Sequence, residues 1–298
     1  MPTFNLIGPG RLGKTLARLL VASGDYQLLG IAGGASPEAA REFIGAGEIG
    51  TLATLPPADF WLIAVPDGAI ADVARQLTAA SAIRPGDVVF HCSGAGEAAL
   101  LAPLQAKGAK MASLHPVFSF ADPALAAQTF PGTRCALEGD ALACERLEAL
   151  VRSIGGEPFC LAPGGKAAYH AALCVASNYL VTLSQLALDT AALAGMNEAE
   201  ALPLLHGLMT QTLANIGRLG PAAALTGPIV RGDAGTVQSH LHALASTEQL
   251  STCYTRLGIA TLPLARQHLT DQLYRQMVDT LTSQSATSAG IVLVPPRP

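Results

Sequence analysis

Hydrophobic and polar positions follow two successive regimes along the chain. In the first, short apolar runs of strand length alternate with stretches of helical period. The runs cover residues 4–7, 26–32, 59–66, 88–95, 110–114, 133–137 and 158–161. Between them, Leu12, Leu16, Leu19 and Leu20 mark one face of a first helix, and Ser36-Pro37-Glu38 opens a second with a cap residue followed by proline. Further helices are predicted up to Leu77, over 97–105 and over 141–154. Strand–helix alternation with fully apolar strands predicts an α/β fold, a doubly wound parallel sheet. After Ala162-Pro163-Gly164-Gly165 only the helical period remains. Helices are predicted over 166–194, 198–217, 234–247, 249–257 or beyond, and 262–283, with Gly195, Gly220 and Gly258 as stops and Pro263 as a break. The tail Pro295-Pro296-Arg297-Pro298 reads as frayed. Two domains follow: residues 1–162 around the sheet, and 163–298 all helical.

The first strand runs into Gly8-Pro9-Gly10-Arg11-Leu12-Gly13, and a helix follows at once. That context gives the glycine pattern physical meaning as a Rossmann fingerprint. Gly8 permits the tight turn, Gly10 leaves room for a pyrophosphate and Gly13 lets helix and strand pack closely. The helix N-terminus then offers free N–H groups and partial positive charge to phosphates. A glycine-rich turn with no ligand is the plainer alternative. NAD-selective folds carry an acid at the end of the second strand, whereas this one ends Ile31-Ala32-Gly33-Gly34-Ala35-Ser36. Without a carboxylate to repel a 2′-phosphate, NADP is favoured over NAD. Ser36 and Arg41 are candidate phosphate contacts, and Arg11 is placed to stack on adenine or meet the same phosphate.

Composition narrows the partners. Half of the 298 residues are hydrophobic and only 13% are charged, which implies a large core and apolar surface covered by another subunit, a homodimer. A net charge of −4 without a basic cluster argues against nucleic acid. The six cysteines are scattered with no CxxC pair, so neither disulfides nor a metal site are expected. The chain starts directly in core structure, so a cytoplasmic protein is expected. Residues 171–195 are apolar and long enough to span a bilayer, but Asn178, Gln185 and Asp189 interrupt them. A helix in a domain core or dimer interface explains them better than a membrane.

Candidate chemistry lies in the loops after the later strands. Val65-Pro66-Asp67 follows the third long run, at the strand end where open α/β sheets bind ligands, and Asp67 has helix capping as its alternative role. Ser93, in His91-Cys92-Ser93-Gly94, is a donor for a carboxylate or carbonyl, or simple turn chemistry; His91 reads as a core histidine. His115, in Ser113-Leu114-His115-Pro116, is a carboxylate ligand or acid. On the long helix, Lys166, His170, Ser177 and Ser184 share a narrow stripe, with Asn178 to one side. Lys166 and His170 could share one substrate oxygen as stabiliser and proton donor, or be a solvated lysine and a buried histidine. Asp233, three residues before Thr236, marks a helix start, and Arg231 is a candidate carboxylate fork.

These segments, with Lys166-Ala-Ala-Tyr-His170, Ala176-Ser-Asn178 and Leu225-Thr-Gly-Pro228, together resemble a dinucleotide oxidoreductase superfamily. It includes pyrroline-5-carboxylate reductase, prephenate dehydrogenase, ketopantoate reductase and the β-hydroxyacid dehydrogenases. More closely, the chain resembles a bacterial family in which a Rossmann-like domain joins a helical domain of unknown function. The resemblance implies an NAD(P) domain, a helical dimerisation domain and a site in the cleft between them. The His115-Pro116 turn is similar to one lying near substrate in prephenate dehydrogenases. In β-hydroxyacid dehydrogenases a catalytic lysine is followed four residues later by asparagine; here His170 follows Lys166. The expectation is an NADP-preferring oxidoreductase passing a hydride between nicotinamide and a small carboxylate-bearing carbonyl, imine or hydroxy compound. Lys166 or His170 would handle the proton, while Ser93, His115 and Asn178 orient the substrate. Alternatives are a deazaflavin-dependent reductase, a non-catalytic dinucleotide sensor or scaffold, and a structural protein with an empty Rossmann domain.

Overall fold

A computed structural model describes residues 1–79 and 82–283, so the proline-rich tail lies outside the described residues. The chain divides into two compact units, Met1–Cys174 and Val175–Pro298. The division falls after Cys174, past the position near 162 that the change of pattern suggests. The reason is local: the Lys166 side chain is buried beneath the ends of the strands, so its helix belongs with the sheet.

The first unit is built on one eight-stranded sheet of order β3-β2-β1-β4-β5-β6-β7-β8. Its strands are β1 (Thr3–Ile7), β2 (Gln27–Ala32), β3 (Glu48–Gly50), β4 (Phe60–Ile63), β5 (Val88–His91), β6 (Lys110–Pro116), β7 (Arg134–Gly139) and β8 (Glu157–Cys160). Its helices are α1 (Arg11–Ser23), α2 (Pro37–Ile44), α3 (Ile70–Ala79), α4 (Pro123–Thr129), α5 (Ala141–Ser153) and α6 (Lys166–Ala176), which runs to the unit's edge. Order 3-2-1-4-5-6 over the first six strands is that of a dinucleotide-binding fold. Alternate residues of each central strand feed opposite faces. Phe60, Leu62, Val88 and Phe90 join Leu16, Leu20, Leu147 and Val151 in one core. Trp61, Ile63 and Val89 join Val73, Leu77 and Leu101 in the other.

Three details depart from the sequence reading. Strand β7 is antiparallel to β6, so the sheet is parallel with one reversal. The three-residue edge strand β3 is too short to leave a pattern. The segment expected as a helix over 97–105 is a 3-10 helix, Ala98–Lys107, with Pro103 inside it. Proline has no N–H to give an α-helical ladder, which favours the tighter turn.

The second unit contains α7 (Asn178–Leu193), α8 (Glu198–Leu219), α9 (Pro221–Ala224), α10 (Pro228–Arg231), α11 (Ala234–Leu244), α12 (Glu248–Ala265) and α13 (Asp271–Thr282). The helix expected over 166–194 is interrupted at Ser177, whose φ of −117° lies well away from the usual helical value of about −63° although it stays in the right-handed region. Serine and asparagine favour helix ends because their side chains compete for backbone groups. The break divides the stripe of Lys166, His170, Ser177 and Ser184. Helix α12 runs through Gly258 and Pro263 to Ala265, correcting the stop and break expected there. A Cβ at Gly258 would lie 2.7 Å from Leu281 Cδ2, so this glycine serves helix contact. Around it Val237, Leu241, Leu262, Met277 and Leu281 form the unit's core.

No residue of α7 is buried, so of the two places expected for 171–195, a domain core or a dimer interface, the described residues do not supply the first. By length and composition alone, Lys166–Leu193 is apolar enough to cross a membrane. Large apolar side chains continue along α8, where Leu208 is 59% exposed and Leu204 58%.

Candidate functional site

The glycine turn has the geometry that its sequence implies. Gly8 has φ +86°, and a Cβ there would meet Ala64 O at 2.7 Å and Val65 Cγ1 at 2.8 Å. A Cβ at Gly13 would lie 2.5 Å from Gly8 O, so α1 presses directly on the turn. At Gly10 a Cβ would meet nothing within 4 Å. The first and third glycines are therefore fixed by protein neighbours, and the middle one faces open space where a pyrophosphate would approach. Gly10 is also the residue that starts α1, and no side chain caps that end. The N–H groups of its first turn thus remain for an anion. Leu12 packs its side chain on the core and offers only backbone, while Arg11 is exposed.

The end of β2 lies alongside. Gly8 N–H donates to Ala32 O at 2.9 Å. A Cβ at Gly34 would stand 2.8 Å from Pro9 Cγ. Ser36 precedes α2 without a capping bond, so its exposed hydroxyl is not committed to that helix. Among the described residues, neither Arg11 nor the exposed Arg41 has a side-chain ion pair.

A second cluster forms where β4, β5 and β6 end. The sheet register places His91 beside Ser113, and Ser113 beside Glu138. His91 is wholly buried; Ser93 N–H donates to its Nδ1 at 3.2 Å, which leaves Nε2 to donate to Glu97 O at 3.0 Å. Burial depresses its pKa. It is a satisfied core histidine that shapes the following turn. The Ser93 hydroxyl donates to Asp67 Oδ2 at 2.8 Å and accepts from Gly96 N–H at 2.8 Å. Asp67 therefore does not cap the following turn, which has no side-chain cap. Val65 covers Gly8, and Pro66 and Asp67 are exposed beyond it.

Lys166 is 1% exposed, which removes the solvated-lysine alternative. Its Nζ donates to Ser93 O at 2.6 Å and to Ser113 Oγ at 2.9 Å. Ser113 Oγ passes on to Glu138 Oε2 at 3.2 Å, which also accepts from Ala98 N–H at 2.8 Å. Burial lowers the lysine's pKa, and the Glu138 carboxylate opposes that shift.

His115 and His170 converge on Gly94. A Cβ there would stand 2.9 Å from His115 Nε2 and 2.5 Å from His170 Nδ1, so only glycine fits. The His115 and His170 rings lie edge to face, 6.1 Å apart. His115 Nδ1 shares a proton with Tyr169 Oη at 2.9 Å. Burial first, then the charges of Lys166 and His170, push the His115 pKa down to about 4. Burial raises the Tyr169 phenol to about 12. At neutral pH both are uncharged, and Tyr169 leaves Nε2 as the imidazole's remaining polar atom. The buried Nδ1 of His170 has no hydrogen-bond partner among the described residues.

The structure thus gathers Ser93, His115, Lys166 and His170 in one cluster. Asn178, the exposed first residue of α7, belongs to the other unit. In that unit Asp233 starts α11 as read, accepting from Thr236 N–H at 3.0 Å and Thr236 Oγ1 at 2.6 Å. Ser113, Glu138 and Tyr169 are participants that the sequence reading did not single out. Ser113 and Tyr169 lie inside segments it quoted, whereas Glu138 needs the reversed strand to be found.

Residues 3–116 match the Rossmann-like domain model. Residues 133–261 match the domain of unknown function DUF2520. Two domain types therefore run in series along the chain. A comparison with curated proteins gives no match. Solved structures share the fold over nearly the whole chain. Protein TM1727 from Thermotoga maritima is 25% identical with a TM-score of 0.67, covering 95% of this chain and 99% of its own. Arogenate dehydrogenase from Synechocystis is 18% identical with a TM-score of 0.53, covering 96% and 100%. Reductive aminase from Aspergillus terreus, solved with NADPH and ethyl levulinate, is 16% identical with a TM-score of 0.62, covering 93% and 99%.

Proposed function

We propose that this protein is an NADP-preferring oxidoreductase acting on a small carboxylate-bearing carbonyl, imine or hydroxy compound. The observation that carries the reading is the glycine turn, in which Gly8 and Gly13 leave no room for a side chain while Gly10 faces open space. Gly8, Pro9, Gly10, Arg11, Leu12 and Gly13 would hold the pyrophosphate, with Val65, Pro66 and Asp67 beside them. The acid-free end of β2, with Ser36 and two cations outside ion pairs, supports the 2′-phosphate. Bound there, the cofactor would supply or accept a hydride through its nicotinamide. At the ends of β5 and β6, His115 and His170 are the groups suited to orient a reacting oxygen or nitrogen and move its proton. His115 is neutral at pH 7, so it can accept a proton or donate one N–H bond, but carries no charge to attract a carboxylate. The apolar faces of α7 and α8 support a homodimer, in which a second copy covers them.

Thermal unfolding with NADP, NADPH, NAD and NADH tests the cofactor. A ligand that binds only the native state stabilises by about 2.7 kcal/mol at a hundred times its Kd. NADP or NADPH is expected to raise the midpoint more than NAD or NADH, and no rise with any of the four would overturn the reading. Nicotinamide absorbance against keto-acid, hydroxy-acid and imino-acid panels then tests turnover. Binding without hydride transfer across all panels would favour a sensor instead.

A further inference from the structure

Four lysines occur in the chain, and among them only Lys166 is buried. Its ammonium rises from the first turn of α6 and ends between two strand termini. There it holds the Ser93 carbonyl and the Ser113 hydroxyl. An ammonium has three donors, and two are spent on protein oxygens. The Ser113 hydroxyl accepts from Nζ and donates to Glu138, so the buried cation is answered by a carboxylate through one relay atom. Glu138 also holds Ala98 N–H, just beyond the same turn. A buried charge with such partners is costly to orphan, which makes the arrangement rigid rather than exchangeable.

The held turn has little freedom of its own. Ser93 is pinned through Asp67 and Gly96, and Gly94 lies against both histidines. A shift of the Ser93 carbonyl therefore changes the fit of Gly94 against His115 and His170. We propose that Lys166 is a positioning residue, a buried strut that fixes the Ser93–Gly94 turn against the two histidines, and that it exchanges no proton with substrate. The proposal rests on reading this end of the sheet as the oxidoreductase site, and it separates Lys166 from the groups that meet substrate.

The test begins with the wild-type protein. A lysine that hands protons to substrate must be reachable by a small electrophile, whereas a strut is reached only when the structure opens locally. Acetic anhydride labelling read by mass spectrometry is expected to modify Lys166 at least about tenfold more slowly than Lys107 and Lys110, with or without NADPH. Equal rates overturn the proposal. In Lys166→Met, the NMR titration of His115 is expected to move upward from about 4 as the neighbouring cation is lost. The Gly94 amide resonance should shift with it. A folded variant with His115 and Gly94 unmoved also overturns the strut. If that variant fails to fold, the wild-type labelling decides alone. Thermal shift of the wild type with NADPH reads the oxidoreductase assignment separately: protected Lys166 without stabilisation would sink the function and leave the strut standing.

Discussion

Single atoms decide what the glycine turn tolerates. Gly10→Ala adds a methyl group to open space, so its stability cost should stay within about 1 kcal/mol, the scale of losing a good N-cap. If the proposed pyrophosphate site is right, the same methyl would stand in its way, and dinucleotide affinity measured by titration should fall by tenfold or more. Gly13→Ala should do the opposite in kind: its Cβ meets backbone oxygen at 2.5 Å, and overpacking of this sort costs about 1–3 kcal/mol. Denaturant midpoints separate the two. His115 adds a pH dependence. Its folded pKa of about 4 lies below its ordinary 6.5, so between those values the unfolded chain binds more protons. Stability from this group is complete above about 6.5 and is lost as pH falls towards 4. The fall in melting temperature over that window should be shallower in His115→Gln, and an identical slope would count against the buried neutral ring.

At the scale of elements, local chemistry was readable wherever one segment determined the outcome. The start of the helix predicted from 198 is one such place, although the pattern does not single out its cap: Asn197 Oδ1 accepts from Glu200 N–H at 3.1 Å, and Glu200 Oε2 accepts from Asn197 N–H at 3.4 Å. Asn197→Ala should cost about 1 kcal/mol by chemical denaturation, with little effect on dinucleotide binding. The alternating pattern likewise revealed the sheet, and the glycine spacing revealed the turn, because each feature lies within a dozen residues. Pattern failed where a partner distant in sequence decides. The direction of β7 depends on how the chain returns after α4, and Glu138 reaches Ser113 only because of that reversal. Gly258 looked like a stop because its neighbour Leu281 is far along the chain. Pattern alone leaves a solvated Lys166 open as the alternative, because a first-turn lysine usually is solvated. Its burial is set by Ser93 and Ser113, 73 and 53 residues away.

For the whole molecule, the apolar side chains that the described residues leave exposed on α7 and α8 carry the main physical demand. A solution dimer of about twice 30.5 kDa is expected by sedimentation. Leu208→Glu should shift it to monomer while NADPH still raises the melting temperature, and a wild-type monomer at micromolar concentration would exclude this assembly. The placement of Lys166 also bears on how the protein is born. Every strand of the sheet precedes it in the chain, yet its Nζ holds the Ser93 carbonyl beside the two histidines. Contacts so distant in sequence pay their loop-closure entropy before they repay it. On the ribosome, the glycine turn can form early, whereas the Ser93–Lys166 contact can close only after the helix bearing Lys166 has left the exit tunnel. A chain stopped before that helix would keep the glycine turn but lack Lys166, Tyr169 and His170 together.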